Sequence, residues 1–251
     1  MLKLLFANNQ HSDSGDAARY FLEFADEINA DVTVLRPSGK GRRSPAIFYP
    51  DRISRLTGSF LYSGNFVQEA VVSSRNFSYD LILASQECKK KWFENCPARN
   101  IARKAWAPVL LIPKQSLFKP FEKVLFLDDQ YYAASQPILR KLSGIWRQQH
   151  FLYPATMRRR GAGYSNRRFD ETGYPVVPRP DAGSLHRYIE RHGIGLVVAN
   201  ESSSNLSHRV LEELPAPVLV FNSRNTVCSR PEKHPAAIPF VRELFRVGKI
   251  S

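Results

Sequence analysis

The feature that most constrains this fold is a pair of similar apolar segments. The first half contains YDLILAS at 79–85 followed by APVLLI at 107–112, and the second half contains IGLVVAN at 194–200 followed by APVLVF at 216–221. Apolar runs of this length without polar alternation are typical of parallel strands buried on both faces of a sheet. The match predicts an internal repeat, in which one unit of strands and helices occurs twice along the chain. The alternative is that two generic Rossmann-like halves are similar by coincidence.

The elements that precede each match follow the same order. Apolar runs between turn residues predict strands, and apolar residues spaced three or four apart predict helices. In the first half, the predicted strands before the match are Leu2–Ala7, Asp31–Leu35 and Phe60–Tyr62, and the helices are Ala17–Ile28, Val67–Arg75 and Pro97–Lys104. In the second half, the predicted strands are Phe121–Asp129, His150–Ala155 and Gly173–Val177, and the helices are Ser135–Trp146 and Ala182–His192.

This alternation predicts an α/β protein of two Rossmann-like domains, each a five-stranded parallel sheet with helices on both faces. We place the domains at residues 1–116 and 117–223, and a C-terminal tail at 224–251. Pairing PVLLI with PVLVF would satisfy one open edge of each sheet. We therefore expect the two domains to pack through their last strands as a pseudo-symmetric dimer.

Each half resembles a universal stress protein domain, and the chain resembles a tandem pair of them. The resemblance covers residues 1–222 and is carried by a first strand ending in a polar turn (LLFANN, VLFLDD) and by a last helix leading into an APVL strand (ARNIARKAWAPVLLI, HRVLEELPAPVLVF). It implies a Rossmann-like fold of the adenine nucleotide alpha-hydrolase type. It also implies a stress-response or regulatory role, in a family with both nucleotide-binding and non-binding members.

The nucleotide-binding members have a carboxylate after the first strand and a glycine-rich phosphate loop after the fourth. Glycines let backbone N–H groups approach phosphate oxygens, and a following helix N-terminus favours the negative charge. In the first half, Ser85 and Cys88 stand at the first two glycine positions and Asn95-Cys96 at the final Gly-Ser pair, and Asn9 replaces the acidic residue. The loop is also about three residues shorter than the family pattern. The resemblance therefore implies that ATP binding is lost and that the protein has no cofactor.

A residual nucleotide or small-anion cleft in the second half is the alternative. Asp129 matches the family's carboxylate, although the loop NESSSN at 200–205 contains no glycine. Hydroxyl and amide groups of this loop could still meet an anion near a helix N-terminus, but a serine run more often caps the helix. The candidate binding residues are Asp129, Asn200, Ser202, Ser203 and Ser204.

The chain carries a formal net charge of +13, which raises the possibility of an anionic partner. The basic clusters are short, namely GKGRR at 39–43, KKK at 89–91 and MRRRGAGYSNRRF at 157–169, so dispersed solvated charge is favoured over a nucleic-acid interface.

The opening MLKLLFANN is too short an apolar run for a signal peptide, and no stretch of about 18 uncharged apolar residues follows. We expect a soluble cytoplasmic protein with a protein partner or a second copy, and no membrane.

The sequence offers little for catalysis. It contains no GxSxG elbow, Walker loop or HExxH motif, and its six histidines are scattered, so we expect neither an enzyme nor a metal site. Cys88 and Cys96 share one loop and could form a redox pair, but inert thiols are favoured because no histidine lies near them in sequence.

In the tail, Phe240, Leu244 and Val247 fall on one face of a short predicted helix, with Val241 and Phe245 beside them. This helix is expected to dock back or to contact a partner chain.

Overall fold

The computed structural model describes most of both halves of the chain. The described residues are 1–7, 15–37, 56–62, 64–86, 96–114, 116–127, 137–145, 148–151, 153–154, 176–177, 182–200 and 214–222. Their strands are β1 (Lys3–Ala7), β2 (Asp31–Pro37), β3 (Leu56–Tyr62), β4 (Leu81–Ser85), β5 (Val109–Ile112), β6 (Lys123–Phe126), β7 (Gln148–Phe151), β8 (Tyr153–Pro154), β9 (Val176–Val177), β10 (Leu196–Asn200) and β11 (Val218–Phe221). Their helices are α1 (Gly15–Glu27), α2 (Phe66–Asn76), α3 (Pro97–Lys104), α4 (Pro137–Leu142) and α5 (Ala182–His192).

One continuous sheet runs through both halves. Within the described residues it has nine strands in the order β3-β2-β1-β4-β5-β11-β10-β6-β7, and a separate parallel pair joins β8 to β9. Neighbouring strands of the large sheet are parallel except at its centre, where β5 and β11 are antiparallel. The α/β class and the mostly parallel sheet predicted from the sequence are therefore confirmed.

The predicted contact between the two last strands is present in this sheet. Leu110 lies opposite Leu219, and Leu111 lies opposite Val218. The first half contributes five strands to the sheet and the second half contributes four, counted over the described residues. A division into two domains with five-stranded sheets remains a prediction, because β8 and β9 lie apart from the main sheet.

The helices divide between the two faces of the sheet and form two cores. Ala70 of α2, Ile101 of α3 and Ile189 of α5 are buried in one core. Phe21 of α1 and Leu139 of α4 are buried in the other core. Residues of alternate orientation on the strands enter opposite cores, as the period of two along a strand requires. Both faces of the sheet are thus covered, which explains why its central strands are apolar throughout.

Local sequence signals define several boundaries. The Asn65 side chain accepts hydrogen bonds from the backbone nitrogens of Val67 and Gln68 at 3.0 and 3.2 Å, and so caps the start of α2. Asn29 adopts a left-handed φ of 54° in the turn before β2, a conformation that asparagine tolerates. At the end of α5, Gly193 has φ 62°, and the next backbone N–H, that of Ile194, bonds to Ile189 O at 3.0 Å.

Predicted and observed boundaries agree at two helices, differ by one or two residues at α1 and α2, and differ more at α4. The helices predicted at Pro97–Lys104 and Ala182–His192 have those bounds in the structure. The helix predicted at Ser135–Trp146 was too long: α4 ends at Leu142 and a 3-10 turn covers Ser143–Ile145. Ser143 Oγ donates to Arg140 O at 2.7 Å, and Gly144 follows, so both residues weaken the helix at this point.

Candidate functional site

The carboxyl ends of parallel strands are where open α/β sheets bind ligands. Because β5 and β11 run in opposite directions, the carboxyl ends of the first half's strands lie at one edge of the sheet and those of the second half lie at the opposite edge. Ser85 ends β4 at the first edge, and Asn200 ends β10 at the second. The two halves therefore present two separate candidate edges, and their matching residues cannot form one composite site.

At the first edge, Ser85 has an unusual environment for a hydroxyl group. Its Oγ is buried and has no hydrogen-bond partner among the residues that the structure describes, while its Cα lies opposite Ile112 of β5. The adjacent Gln86 N–H donates to Ile112 O at 2.9 Å, which extends the pairing of β4 with β5 beyond the strand end. A buried hydroxyl without a partner costs about 1–3 kcal/mol. Ser85 is also one of the residues that the sequence resemblance assigns to a glycine position of a phosphate loop, an assignment that stays a prediction.

At the second edge, Asn200 is the candidate binding residue that the structure describes. It pairs with Phe221 of β11, and only 5% of the residue is exposed. Its neighbours in β10 and β11 are apolar and buried, so the Asn200 amide is a polar group at the end of an otherwise apolar strand pair. Asp129, Ser202, Ser203 and Ser204 lie outside the described residues, as do Lys89–Lys91 and the basic clusters at 39–43 and 157–169.

Cys96 differs from the expectation of an inert free thiol. It stands at the N-cap of α3, is buried and is disulfide-bonded. The other two cysteines of the chain, Cys88 and Cys228, lie outside the described residues. A sulfur held in a disulfide is not a thiolate, so in this state Cys96 cannot act as a nucleophile.

Other classes of site receive no support from the part of the chain that the structure describes. Within those ranges no three histidine, cysteine or acidic side chains come close enough together to hold a metal ion. None of the described helices has the length and apolar character needed to cross a bilayer.

Two polar contacts between the halves were not predicted from the sequence. Asn222 is fully buried at the end of β11, and its Nδ2 donates to the carbonyl oxygens of Ala102 and Ala105 (the latter at 3.1 Å) at the end of α3. Lys141 of α4 donates to Asp80 Oδ1 at 2.8 Å. The partners are far apart in sequence, so no local pattern marks either contact.

Comparison with known proteins gives structural neighbours and no sequence relatives. No protein-family model matches the chain, and no curated protein matches it. A universal stress protein from Archaeoglobus fulgidus DSM 4304 is 14% identical, with 88% of this chain and 96% of that chain covered at a TM-score of 0.57. A functionally unknown protein from Pseudomonas aeruginosa PAO1 is 13% identical, with 89% and 93% covered at a TM-score of 0.56.

A third solved structure, from Pseudomonas aeruginosa UCBPP-PA14, is provisionally described as a universal stress protein. It is 14% identical, and the match covers 89% of this chain and 94% of that chain at a TM-score of 0.56. At such low identity the similarity establishes the fold alone. The chain therefore has a universal stress protein-like α/β fold, and its function must be argued from its own residues.

Proposed function

We propose that this chain is a tandem universal stress protein-like protein that acts in stress response or regulation through protein contacts, without catalysis and without ATP. The domains would be residues 1–116 and 117–223, with a tail at 224–251, in a cytoplasmic protein. The main support is the antiparallel pairing of β5 with β11. This pairing connects the last strands of two units of similar sequence. Two sheets related by a two-fold axis would be connected in the same antiparallel way.

The loss of ATP binding is inferred from the residues at the two candidate edges. A phosphate cradle needs backbone N–H groups that are open to the ligand, and glycine provides that access. The first half has Ser85 and Cys88 at the first two glycine positions and Asn95-Cys96 at the Gly-Ser pair, and Cys96 is disulfide-bonded. The second half has no glycine between Asn200 and Asn205. Neither loop contains the glycines that a phosphate cradle of this kind requires.

Isothermal titration of the full chain with ATP, ADP and AMP tests this proposal. We expect no measurable heat of binding for any of the three nucleotides. A Kd below about 100 μM, or about −5.5 kcal/mol of binding free energy, would contradict the loss of nucleotide binding. A matched titration of the Val72→Ala variant, which changes an exposed side chain within helix α2 and not at a strand end, checks that a heat signal is specific to the edges.

A second candidate function is a nucleotide or small-anion sensor that uses the second edge. The observation that favours it is the buried amide of Asn200 at the carboxyl end of β10. Asp129, Ser202, Ser203 and Ser204 would complete the site. If a nucleotide or inorganic phosphate binds, Asp129→Ala and Asn200→Ala should each weaken the binding at least about tenfold, which corresponds to 1.4 kcal/mol. Binding that is unchanged in both variants would exclude this edge.

A further inference from the structure

Exposed apolar side chains collect at one end of α2. The described residues include five large hydrophobic side chains that are strongly exposed, and three of them are Val72, Phe77 and Trp106, at 44%, 48% and 45%. Arg75, one turn after Val72, holds its guanidinium 5.4 Å from the centre of the Trp106 ring. We call Val72, Arg75, Phe77 and Trp106 the Trp106 surface. Val72 lies one turn before Arg75 on the same face of α2 and Phe77 directly follows the helix, and grouped apolar exposure marks interaction sites more often than single exposed residues do.

The Trp106 surface is held in place by its backbone. Trp106 N donates to Ser74 Oγ at 3.0 Å, and Ser74 Oγ donates to Val71 O at 2.7 Å. Ser74 is buried, so this connection between α2 and the turn before β5 is shielded from water. The indole is thus presented by a fixed segment and not by a loose loop, which lowers the entropy cost of covering it.

The chain leaves the described fold beside this surface. Asn222, the last described residue, bonds to Ala105 O at 3.1 Å, and Ala105 immediately precedes Trp106. The antiparallel register that pairs Val220 with Val109 continues toward the same turn. From Asn222 the chain has 29 more residues, 223–251. The stretch from 222 to 238 can extend over about 50 Å, so it does not limit a return to the surface.

The tail carries a segment with the complementary pattern. The sequence predicts a helix here, and at 100° per residue one continuous arc of it would carry Phe240, Leu244, Val247, Val241 and Phe245. On that helix Arg242 and Arg246 would fall on the opposite side, and Glu243 would fall at the edge of the arc. Arg103 and Lys104 are exposed basic residues in the last turn of α3, three and two residues before Trp106, and Arg75 contacts the Trp106 ring. The segment would therefore offer an apolar face and a carboxylate to this surface while its arginines point away.

We propose that the segment 238–247 of this chain folds back and docks on the Trp106 surface. The occupant is the chain's own C-terminus, because the fold delivers the tail to the residue next to Trp106 and because the apolar arc matches the apolar surface. The inference does not rest on the proposed function, since it uses neither candidate ligand edge.

Site-specific photocrosslinking in the full chain tests the docking. A benzoylphenylalanine replaces Trp106 in one sample and the exposed Leu117 in a control sample, and the crosslinked peptides are identified by mass spectrometry. We expect the probe at 106 to join peptides within 238–250 in monomeric protein, with a yield independent of protein concentration. The probe at 117 should not join these peptides. Crosslinks from 106 to a second copy, to nucleic acid or to other parts of the chain would overturn the proposal.

Hydrogen exchange on protein without the probe gives a second readout. In a Phe240→Asp, Leu244→Asp double variant, amides at 72–77 and 104–107 should exchange at least about tenfold faster than in the wild type. The matched control is Arg242→Ala, on the opposite side of the predicted helix, which should leave exchange at both segments unchanged. Equal exchange in the wild type and the double variant would contradict docking even if the probe variant failed to fold.

Discussion

Strands β5 and β11 are almost the same in sequence and are equally buried, yet the residues that follow them differ. VLLI is followed by Pro113 and VLVF by Asn222. A proline side chain offers no hydrogen-bond donor, whereas the Asn222 amide reaches across the junction to the carbonyl groups of Ala102 and Ala105. The pairing of the two strands is symmetric, and Asn222, from the second half, adds hydrogen bonds across it to the end of α3. The two similar strands thus form the junction between the halves, and Asn222, which has no counterpart after β5, stabilises it with hydrogen bonds.

The largest effect is expected from the apolar residues that the two strands share. Leu219 lies opposite Leu110 and both are buried, so Leu219→Ala and Leu110→Ala should each lower the free energy of unfolding by about 2 to 5 kcal/mol. The measurement is denaturant unfolding with Leu117→Ala, an exposed site, as the control that should change by less than about 0.5 kcal/mol. A loss below 1 kcal/mol in either strand would show that the junction is not a common core.

The second-largest loss of stability is expected on removing the Asn222 side chain, which tests its hydrogen bonds across the junction. Asn222→Ala removes two hydrogen bonds and leaves carbonyl groups at the end of α3 short of a donor, so we expect a loss of about 2 to 4 kcal/mol. Asn222→Asp has nearly the same shape but presents an acceptor to these carbonyls. It should destabilise at least as strongly at pH 7 and recover part of the loss below pH 4, where the introduced carboxyl can donate. The same loss at every pH would argue that shape, and not the donor, matters.

A smaller effect, of opposite sign, is expected on the first half's side of the core. Tyr20 of α1 is buried against the segment between β5 and β6, where its ring contacts Phe118 edge-on, and its hydroxyl has no hydrogen-bond partner within the described part of the chain. Tyr20→Phe should therefore be neutral or stabilise the fold by about 1 kcal/mol. Thermal unfolding of the variant and the wild type measures the difference. A destabilised phenylalanine variant would mean that the hydroxyl has a partner.

The same residue gives a prediction for alkaline pH. Burial raises the pKa of Tyr20 well above its ordinary value near 10, so the neutral form is the one that the fold favours. Above pH 10 the unfolded chain loses this proton before the folded chain does, and stability falls as the pH rises. The stability difference between Tyr20→Phe and wild type should therefore grow between pH 9 and 11. A constant difference over that range would contradict the burial of the hydroxyl.

The smallest effect is expected at the exposed contact between the halves. Lys141 and Asp80 form an ion pair at 2.8 Å, but their side chains are 45% and 28% exposed. Such pairs contribute about 0.2 to 1 kcal/mol. A double-mutant cycle with Lys141→Met and Asp80→Asn should give a coupling in this range that decreases in high salt. A coupling above 2 kcal/mol would make this pair, rather than Asn222, the main polar link.

The sequence predicts the architecture well because buried parallel strands have an easily recognised composition. DLILAS, GLVVAN and the two APVL strands are apolar without alternation, and the similarity of the last two predicts that they meet. The polar links could not be predicted, since Asn222 is 117 and 120 residues from its partners and Lys141 is 61 residues from Asp80. The burial of the Ser85 hydroxyl could not be predicted either, because the local sequence does not show which atoms surround it.

Native-state hydrogen exchange at the junction tests the central claim most directly, namely that the two halves share one sheet through β5 and β11. Amides of 109–112 and 218–221 should exchange as slowly as those of β1 and β4, which lie inside the same sheet. Their opening free energy should equal that of global unfolding. Junction amides that exchange as fast as those of the edge strand β3 would contradict the account, because the two sheets would then open independently.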